Sequence, residues 1–189
     1  MGQEALIIVD VQNDFCPGGS LAVFEGDQVV PVLNEWAERF SKQGKWIITT
    51  QDAHPLDHIS FREQGGPWPA HCVKDTWGFQ LHPDLKLPSH AEFYKGYLRK
   101  VDAYSGFEGT RVHAEPTTSL EEFLRENKID TLYVGGLATD YCIKATVLDA
   151  LILGFSTYVI VEGVRGVNLK PDDGQKALQE MRGKGARLL

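Results

Sequence analysis

The sequence predicts an α/β fold in which a doubly wound, mainly parallel sheet carries helices on both faces, as a Rossmann-like three-layer sandwich. Four short apolar segments, at 5–11, 46–50, 131–137 and 157–161, each have about the length of a strand. Their residues do not alternate between polar and apolar, which indicates strands that are buried on both faces, as parallel strands are. Helical patterns separate these segments, and such alternation of strand and helix is typical of a doubly wound sheet.

The first helix is predicted between the first two segments, where apolar residues recur at the spacing of one helical face. These residues are Val29, Val32, Leu33, Trp36, Ala37 and Phe40. Asp27 is a candidate N-cap, and Pro31 falls in the first turn, where proline is tolerated. We expect Gly44 to end the helix, because glycine readily adopts the left-handed conformation that follows a helix.

Three further helices are predicted in the second half of the chain. The pattern Thr118-x-x-Glu121 predicts a capping box at the start of the second helix. A third helix is expected from about 139 to about 154, and its residues are apolar around most of its circumference. The fourth opens at Pro171, and the two aspartates that follow it favour a helix N-terminus, because negative charge suits the helix dipole there.

A single domain over residues 1–189 is expected from the length, since globular domains usually hold about 100 to 200 residues. No internal repeat or interdomain linker interrupts the chain. From 52 to 89, however, prolines, glycines, histidines and tryptophans crowd together with little periodicity. A compact domain tolerates so long an irregular stretch mainly where that stretch carries function.

Composition argues against several classes of function. Hydrophobic residues make up 42% of the chain and charged residues 24%, an ordinary globular mixture and not that of a disordered protein. The 19 Lys and Arg against 26 Asp and Glu give a net charge of −7, which disfavours a nucleic-acid partner. No apolar run of about 18 residues and no basic leader occur, so we expect a cytoplasmic protein without a membrane anchor. Both a monomer and a homo-oligomer are compatible with the sequence. The three cysteines form no Cys-x-x-Cys pair and predict no disulfide framework.

Three residues are candidates for chemistry at the carboxyl ends of the strands, where doubly wound folds bind ligands. Asp10 ends the first apolar segment, and a carboxylate there is either paired structurally or placed for chemistry. Cys142 lies in the first turn of the third helix, where the helix dipole and a nearby cation would lower the pKa of a thiol. Lys95 is predicted to end an edge strand that points into the same crevice. An inert buried cysteine and a solvated lysine are the alternative interpretations.

A candidate metal site follows the second apolar segment. Asp52 and His54 are two residues apart, so in extended chain both side chains point to the same side and can reach one cation. His71 adds a second imidazole, and this set suits zinc, iron or manganese with positions left for water or substrate. Surface histidines in a loop are the alternative interpretation. Dinucleotide, P-loop and serine-hydrolase motifs are absent from the sequence.

Several motifs occur in order along nearly the whole chain. They are Asp10-Val-Gln-Asn-Asp-Phe15-Cys-Pro-Gly-Gly-Ser, Asp52-Ala-His54-Pro, His58-Ile-Ser-Phe, Gly66-Pro-Trp68-Pro-Ala-His71-Cys-Val, Lys95, Ala103-Tyr104-Ser-Gly-Phe-Glu-Gly109 and Gly135-Gly-Leu-Ala138-Thr-Asp-Tyr-Cys142. In these motifs the chain resembles the nicotinamidase/pyrazinamidase group of isochorismatase-like cysteine hydrolases. The resemblance therefore implies an isochorismatase-like fold.

The same resemblance implies a role for each matching residue. The implied catalytic residues are Asp10, Lys95 and Cys142, and the implied metal ligands are Asp52, His54 and His71. The ring of the substrate would lie among Phe15, Trp68 and Tyr104. The backbone N–H groups of Ala138 and Cys142 would form an oxyanion hole, with a cis peptide bond before Ala138. The implied cofactor is one divalent cation, zinc first, with iron or manganese as alternatives and with His58 or water completing its shell.

The activity that the resemblance implies is hydrolysis of nicotinamide, and also of pyrazinamide, to the acid and ammonia through a cysteine thioester, in the service of NAD salvage. The chain departs from the family pattern at Asp75-Thr-Trp77-Gly-Phe79, a bulkier loop that predicts an altered pocket. Three alternatives stay open: a hydrolase for another small amide or a vinyl ether, a binding protein without turnover, and a thiol redox sensor that uses Cys16 and Cys72.

Overall fold

The computed structural model describes residues 2–189, which build one seven-stranded sheet and four α-helices. The strands are β1 (Gln3–Val9), β2 (Trp46–Asp52), β3 (Ala91–Lys95), β4 (Thr110–Arg111), β5 (Ile129–Leu137), β6 (Ser156–Arg165) and β7 (Arg187–Leu188). The helices are α1 (Val29–Lys42), α2 (Leu120–Glu126), α3 (Lys144–Ile152) and α4 (Asp173–Gly183). A π-helical turn, Thr139–Ile143, leads directly into α3.

The strand order across the sheet is β4-β3-β2-β1-β5-β6-β7. Every neighbouring pair is parallel except β3 and β4. The chain adds strands first on one side of β1 and later on the other side, so the sheet is doubly wound and its order reverses between β1 and β5. This topology confirms the predicted fold class, and it places the expected ligand crevice beyond the carboxyl ends of these two strands.

Strand β1 explains why the apolar segments do not alternate with polar residues. Ala5, Ile7 and Val9 face a core that α2, α3 and α4 cover, whereas Leu6 and Ile8 face a second core that α1 covers. All five residues are fully buried, so both faces of the strand require apolar side chains. The result is the predicted three-layer sandwich, with helices on both faces of the sheet.

Two short strands were not predicted, and one of them corrects the position of Lys95. Strand β4 pairs antiparallel with β3, so β3 is the second strand of the sheet and Lys95 does not end an edge strand. Strand β7 pairs with β6 at the opposite edge. Each of these two strands has only two residues, which is too few for a pattern to reveal.

The helix termini differ from prediction in three places. The capping box of α2 is formed by Ser119 and Glu122, one residue later than predicted, because the Ser119 hydroxyl accepts from the Glu122 N–H. Asp27 does not cap α1, since it lies in a 3₁₀ turn, Gly26–Gln28, that precedes the helix. Helix α4 begins at Asp173, two residues after the predicted start. Gly44 follows α1 with φ of +65°, as its expected role requires.

The irregular middle of the chain covers the carboxyl ends of β1, β2 and β3. Between β2 and β3 the only helical element is a short 3₁₀ turn, Arg62–Gln64, within the described residues. A backbone hydrogen bond from the Ala53 N–H to Lys95 O, at 2.9 Å, joins the start of the segment to β3, and one from the His54 N–H to Cys72 O, at 3.0 Å, holds two parts of the segment together. None of the helices in residues 2–189 is long and apolar enough to span a membrane.

Candidate active site

Three strands of the sheet bring the predicted catalytic residues together. Asp10 directly follows β1, Lys95 is the last residue of β3, and Cys142 lies in the π-helical turn that follows β5. The Lys95 ammonium group lies 2.9 Å from Asp10 Oδ2 and 3.5 Å from the Cys142 sulfur. It also lies 2.5 Å from Asp52 Oδ1, because Asp52 and Lys95 are register partners in β2 and β3. All four side chains are buried at one point of the crevice.

The surroundings of Asp10 leave its Oδ2 atom free to accept a proton from Cys142. Its backbone has φ of +50°, in the left-handed region that residues other than glycine seldom adopt. The Thr50 hydroxyl donates to Oδ1 at 2.6 Å, whereas Oδ2 receives no well-oriented hydrogen bond within residues 2–189 and is only ion-paired with Lys95. Carboxylate oxygens of Asp10 and Asp52 and the sulfur of Cys142 all lie within 4.8 Å of one another. A proton can therefore pass between the thiol and Asp10 after a small movement.

The prediction that the thiol of Cys142 has a lowered pKa is wrong. Burial raises the pKa of Cys142 well above its usual value, and the lowering by Lys95 is opposed by the charges of Asp10 and Asp52. Burial likewise raises the pKa of Asp10, although Lys95 partly offsets it. For Lys95, burial alone would lower the pKa, but the two carboxylates outweigh it and raise the pKa well above its usual value. The resting site thus holds an ammonium group, a protonated thiol and an unusually basic carboxylate beside it.

The three predicted metal ligands form a second cluster that shares Asp52 with the first. One ligand atom from each of Asp52, His54 and His71 lies within 4.8 Å of the others, and all three residues are buried. The Nδ1 atoms of His54 and His71 lie 2.8 Å from the carbonyl oxygens of Gly96 and Pro69. These Nδ1 atoms therefore carry the proton, and each Nε2 keeps a free lone pair.

The charge state of the histidines also fits a metal site. Burial, helped by the neighbouring His71, lowers the pKa of His54 to about 3, and burial lowers the pKa of His71 as well. Both rings are therefore neutral at neutral pH, which is the form that binds a metal. Two neutral imidazoles and one carboxylate suit a divalent cation of the zinc, iron or manganese type.

His58 supplies no free donor atom to this cluster. Its Nδ1 accepts from the Ser60 N–H at 3.3 Å and lies 2.7 Å from the Ser60 hydroxyl, and its Nε2 lies 3.1 Å from the carbonyl of Val101. Its ring stacks on that of His54 with centroids 4.1 Å apart. In this arrangement His58 supports His54 by packing and leaves the rest of the coordination shell open.

Two residues that the sequence analysis did not assign position Asp52 and His54: Gln12 holds the backbone of Asp52, and Gly96 leaves room for the ring of His54. The side-chain amide of Gln12 donates to the Asp52 carbonyl and accepts from the Asp52 N–H, each at 2.8 Å. At Gly96, a Cβ atom would lie 2.5 Å from His54 Cε1, and the φ of this residue is +63°. Only glycine fits there. Gln12 lies inside the first motif, but spacing gives no indication of its partner.

The predicted ring-binding residues line one narrow pocket beside Cys142. Phe15, Trp68 and Tyr104 form part of its wall together with His71 and Asp52. The Trp68 indole N–H donates to the Tyr104 hydroxyl at 3.2 Å, which fixes the two rings relative to each other. The sequence analysis missed the further lining residues Leu21, Tyr141 and Val167. Tyr141 could have been inferred from its place beside Cys142, whereas Leu21 and Val167 lie in loops, where no periodic pattern shows which way a side chain points.

The peptide bond between Leu137 and Ala138 is cis, as the resemblance implied. Ala138 lines the pocket, and among residues 2–189 no backbone carbonyl or side chain accepts from its N–H. The Cys142 N–H belongs to the first turn of the π-helical segment, where early N–H groups lack partners within the helix. That the N–H groups of Ala138 and Cys142 form an oxyanion hole stays a prediction.

The bulky loop from Asp75 to Phe79 does not narrow this pocket. Trp77 is 58% exposed, and the ring of Phe79 packs edge-on against Tyr94 with centroids 5.2 Å apart. Neither side chain lines the pocket beside Cys142. Two larger surface clefts, of about 640 and 680 Å³, contain none of the predicted catalytic residues. Cavity size alone would thus have pointed to the wrong place.

Comparison with known proteins agrees with the fold. Residues 4–189 match the family described as Isochorismatase domain. A nicotinamidase of Escherichia coli (strain K12) is 46% identical over an alignment of 206 positions, which covers 100% of this chain and 95% of the relative.

Two solved structures are similar over almost their whole length. The pyrazinamidase of Pyrococcus horikoshii in complex with zinc has a TM-score of 0.89 and 44% identity, covering 99% of this chain and 98% of that chain. PnC1 from L. infantum in complex with nicotinate has a TM-score of 0.85 and 31% identity, covering 100% of this chain and 92% of that chain. The chain therefore belongs to the isochorismatase domain family.

Proposed function

We propose that this chain is an amidase that hydrolyses the carboxamide of nicotinamide, and of pyrazinamide, to the free acid and ammonia, and so serves NAD salvage. The observation that carries the proposal is the position of the Cys142 thiol, which lies 3.5 Å from the Lys95 ammonium group. The same thiol lines an aromatic pocket whose wall includes two of the predicted metal ligands, Asp52 and His71. The E. coli relative, the zinc complex and the nicotinate complex support the reaction, the cation and the substrate class.

In the first half of the reaction, Asp10 acts as the general base. It takes the proton of Cys142, and the sulfur attacks the carboxamide carbon to form a C–S bond while the carbonyl oxygen becomes an oxyanion. The raised pKa of Asp10 suits this task, because a more basic carboxylate takes a proton from a buried thiol at a smaller free-energy cost. Lys95 stays charged and compensates the negative charge as it moves from carboxylate to sulfur.

In the second half, Asp10 acts as the general acid. It returns the proton to the amide nitrogen, the C–N bond breaks, and ammonia leaves while a thioester remains on Cys142. Asp10 then takes a proton from a water molecule that attacks the thioester carbon. The C–S bond breaks, the sulfur recovers its proton, and the acid is released.

Two backbone donors and the pocket lower the barrier. The N–H groups of Ala138 and Cys142 would donate to the oxyanion, and one such donor is worth about 3 kcal/mol in comparable sites. Phe15, Trp68 and Tyr104 would hold the ring by apolar and stacking contacts, which fixes the amide carbon against the sulfur. Leu21, Tyr141 and Val167 complete that wall.

A divalent cation would be held by Asp52, His54 and His71, whose donor set fits zinc and also accepts iron or manganese. When bound, it supplies a Lewis-acidic partner for a ring nitrogen and so orients the substrate. Asp52 faces both clusters, because its Oδ1 pairs with Lys95 while its Oδ2 lies 3.7 Å from His54 Nε2. Orientation of the ring and activation of the thiol therefore depend on the same carboxylate.

Ammonia release from three amides tests the proposal. Protein stripped with a chelator and then reconstituted with zinc, iron or manganese should hydrolyse nicotinamide and pyrazinamide, and should hydrolyse benzamide far more slowly, because benzamide has no ring nitrogen. Equal turnover of benzamide would contradict the role of the cation. His54→Ala should lose bound metal as well as activity, whereas His113→Ala, a change at an exposed histidine, should lose neither.

The same assay separates the alternatives. Tight binding of nicotinamide without ammonia release under any metal would favour a binding protein. Turnover of another amide or of a vinyl ether, with nicotinamide left intact, would favour a related hydrolase. Cys16, Cys72 and Cys142 are all free and buried thiols here, and a disulfide between Cys142 and either of the others under mild oxidant would favour a redox sensor. A cytoplasmic location and the oligomeric state remain predictions.

A further inference from the structure

Asp140 makes two hydrogen bonds that the proposed mechanism does not use. Its carboxylate is buried, with Oδ1 accepting from the Val167 N–H and Oδ2 from the Asn168 N–H, each at 2.8 Å. Bonds from backbone N–H groups to a carboxylate are stronger than bonds between neutral groups. The side chain therefore clips the segment that follows β6 onto the π-helical turn of Cys142.

The clipped segment supplies one wall of the ring pocket. Val167 lines the pocket with Cys142, Ala138 and Tyr141, and it packs on the apolar cluster that contains Phe15 and Ala138. The next three residues, at 168–170, are exposed. Leu169 is 67% exposed and makes no part of the pocket. Apolar packing beyond Val167 therefore does little to fix the wall.

The clip joins that wall to the nucleophile itself. Asp140 and Cys142 share the short π-helical turn Thr139–Ile143, so any shift of Asp140 changes the distance between the sulfur and Val167. We propose that Asp140 is a positioning residue that holds Val167 against the ring pocket, and that Val167 limits the width of the substrate ring that can reach Cys142. This inference rests on the proposed function for its substrate and on hydrogen-bond geometry for its residues.

The inference differs from a purely structural role in what it expects of substitutions. Asp140→Asn keeps one acceptor but presents an amide N–H₂ to the second backbone N–H, so one half of the clip is lost. We expect it to raise the KM for nicotinamide about tenfold, the effect of losing one charge-assisted hydrogen bond, while kcat changes less. The matched control is Asp173→Asn, which likewise neutralises a carboxylate that accepts a backbone hydrogen bond, from the Lys170 N–H, in the same segment but does not touch the wall.

Alkylation of Cys142 provides a readout that needs no turnover. The rates of iodoacetamide and of its bulkier N-phenyl analogue are followed by mass spectrometry of the peptide that carries Cys142, so that Cys16 and Cys72 do not contribute. Val167→Ala should raise the rate of the aryl reagent relative to iodoacetamide about tenfold, since a pocket discriminates by about this factor for small apolar differences. Val167→Phe should lower the same ratio, and Leu169→Ala should leave it unchanged.

The two outcomes separate this inference from the proposed function. If wild-type protein hydrolyses nicotinamide but the alkylation ratios of Val167→Ala and Asp140→Asn equal the wild-type ratio, the wall assignment is overturned while the function stands. Shifted ratios in a protein that never releases ammonia would support the wall and remove the proposed substrate. If Asp140→Asn does not fold, the three changes at 167 and 169 still decide, because they leave the clip intact.

Discussion

Replacement of Lys95 by methionine tests the charge arrangement of the site most severely. The Lys95 side chain is fully buried, and its ammonium group lies 2.9 Å from Asp10 and 2.5 Å from Asp52. Methionine has nearly the same length and fills the same space, but it leaves two buried carboxylates without a cation. Removing one partner from a buried ion pair costs about 3–5 kcal/mol, and here one cation serves two anions.

The loss should be visible in both stability and activity. We expect Lys95→Met to lower the free energy of unfolding by about 3–5 kcal/mol, which corresponds to a fall in Tm of about 6–20 °C for a chain of this size. Denaturant unfolding is measured with a chelator present, so that no bound cation replaces the missing charge. Lys100→Met, at an exposed lysine, should stay within about 0.5 kcal/mol of wild type.

A double variant shows whether the uncompensated carboxylate is the cause. Adding Asp10→Asn to Lys95→Met removes one of the two unpaired charges, so the double variant should be more stable than Lys95→Met alone. The coupling between the two sites should fall within about 0.5–3 kcal/mol, as for residues in one ion-pair network. If Lys95→Met unfolds like Lys100→Met, or if the two changes simply add, the buried ion network does not stabilise this fold as we argue.

Two further predictions concern the metal cluster and the helix cap. Gly96→Ala forces a Cβ against His54 and should weaken zinc binding at least about tenfold in a competition titration. Gly65→Ala is also at positive φ but has open space around it, so it should reduce stability without changing zinc affinity. Equal zinc affinity in both variants would contradict the tight fit at Gly96. Ser119→Ala should lower the free energy of unfolding by about 1 kcal/mol through loss of the α2 cap, and Thr118→Ala should lower it by less. If thermal unfolding shows the larger loss for Thr118→Ala, the capping box begins at Thr118, as the sequence predicted.

The sheet could be predicted because its central strands are long apolar segments. Strand β1 is buried on both faces, so its composition alone shows that helices cover both sides. Strands β4 and β7 have two residues each and are recognised only by their backbone pairing with β3 and β6, which no apolar pattern reveals. The capping box was misplaced by one residue because the sequence contains two overlapping patterns, Thr118-x-x-Glu121 and Ser119-x-x-Glu122, and spacing cannot choose between them.

Within the site, the identity of the residues could be predicted but their electrostatics could not. The resemblance named Asp10, Lys95 and Cys142, and the structure brings them within contact. The lowered thiol pKa was wrong because spacing does not reveal that Cys142 is buried beside two carboxylates, whose charges oppose the effect of Lys95. Val167 and its clip were missed because the contact joins segments far apart in sequence.

The central claim is that Cys142 forms a covalent acyl intermediate, and rapid acid quenching of the enzyme during turnover of nicotinamide measures it most directly. We expect intact and peptide mass spectra to show one nicotinoyl group on the peptide that carries Cys142. Cys142→Ala should keep its fold, as judged by circular dichroism, and release no ammonia above background. Ammonia release by Cys142→Ala at the wild-type rate, or an acyl group found on a different residue, would contradict the account.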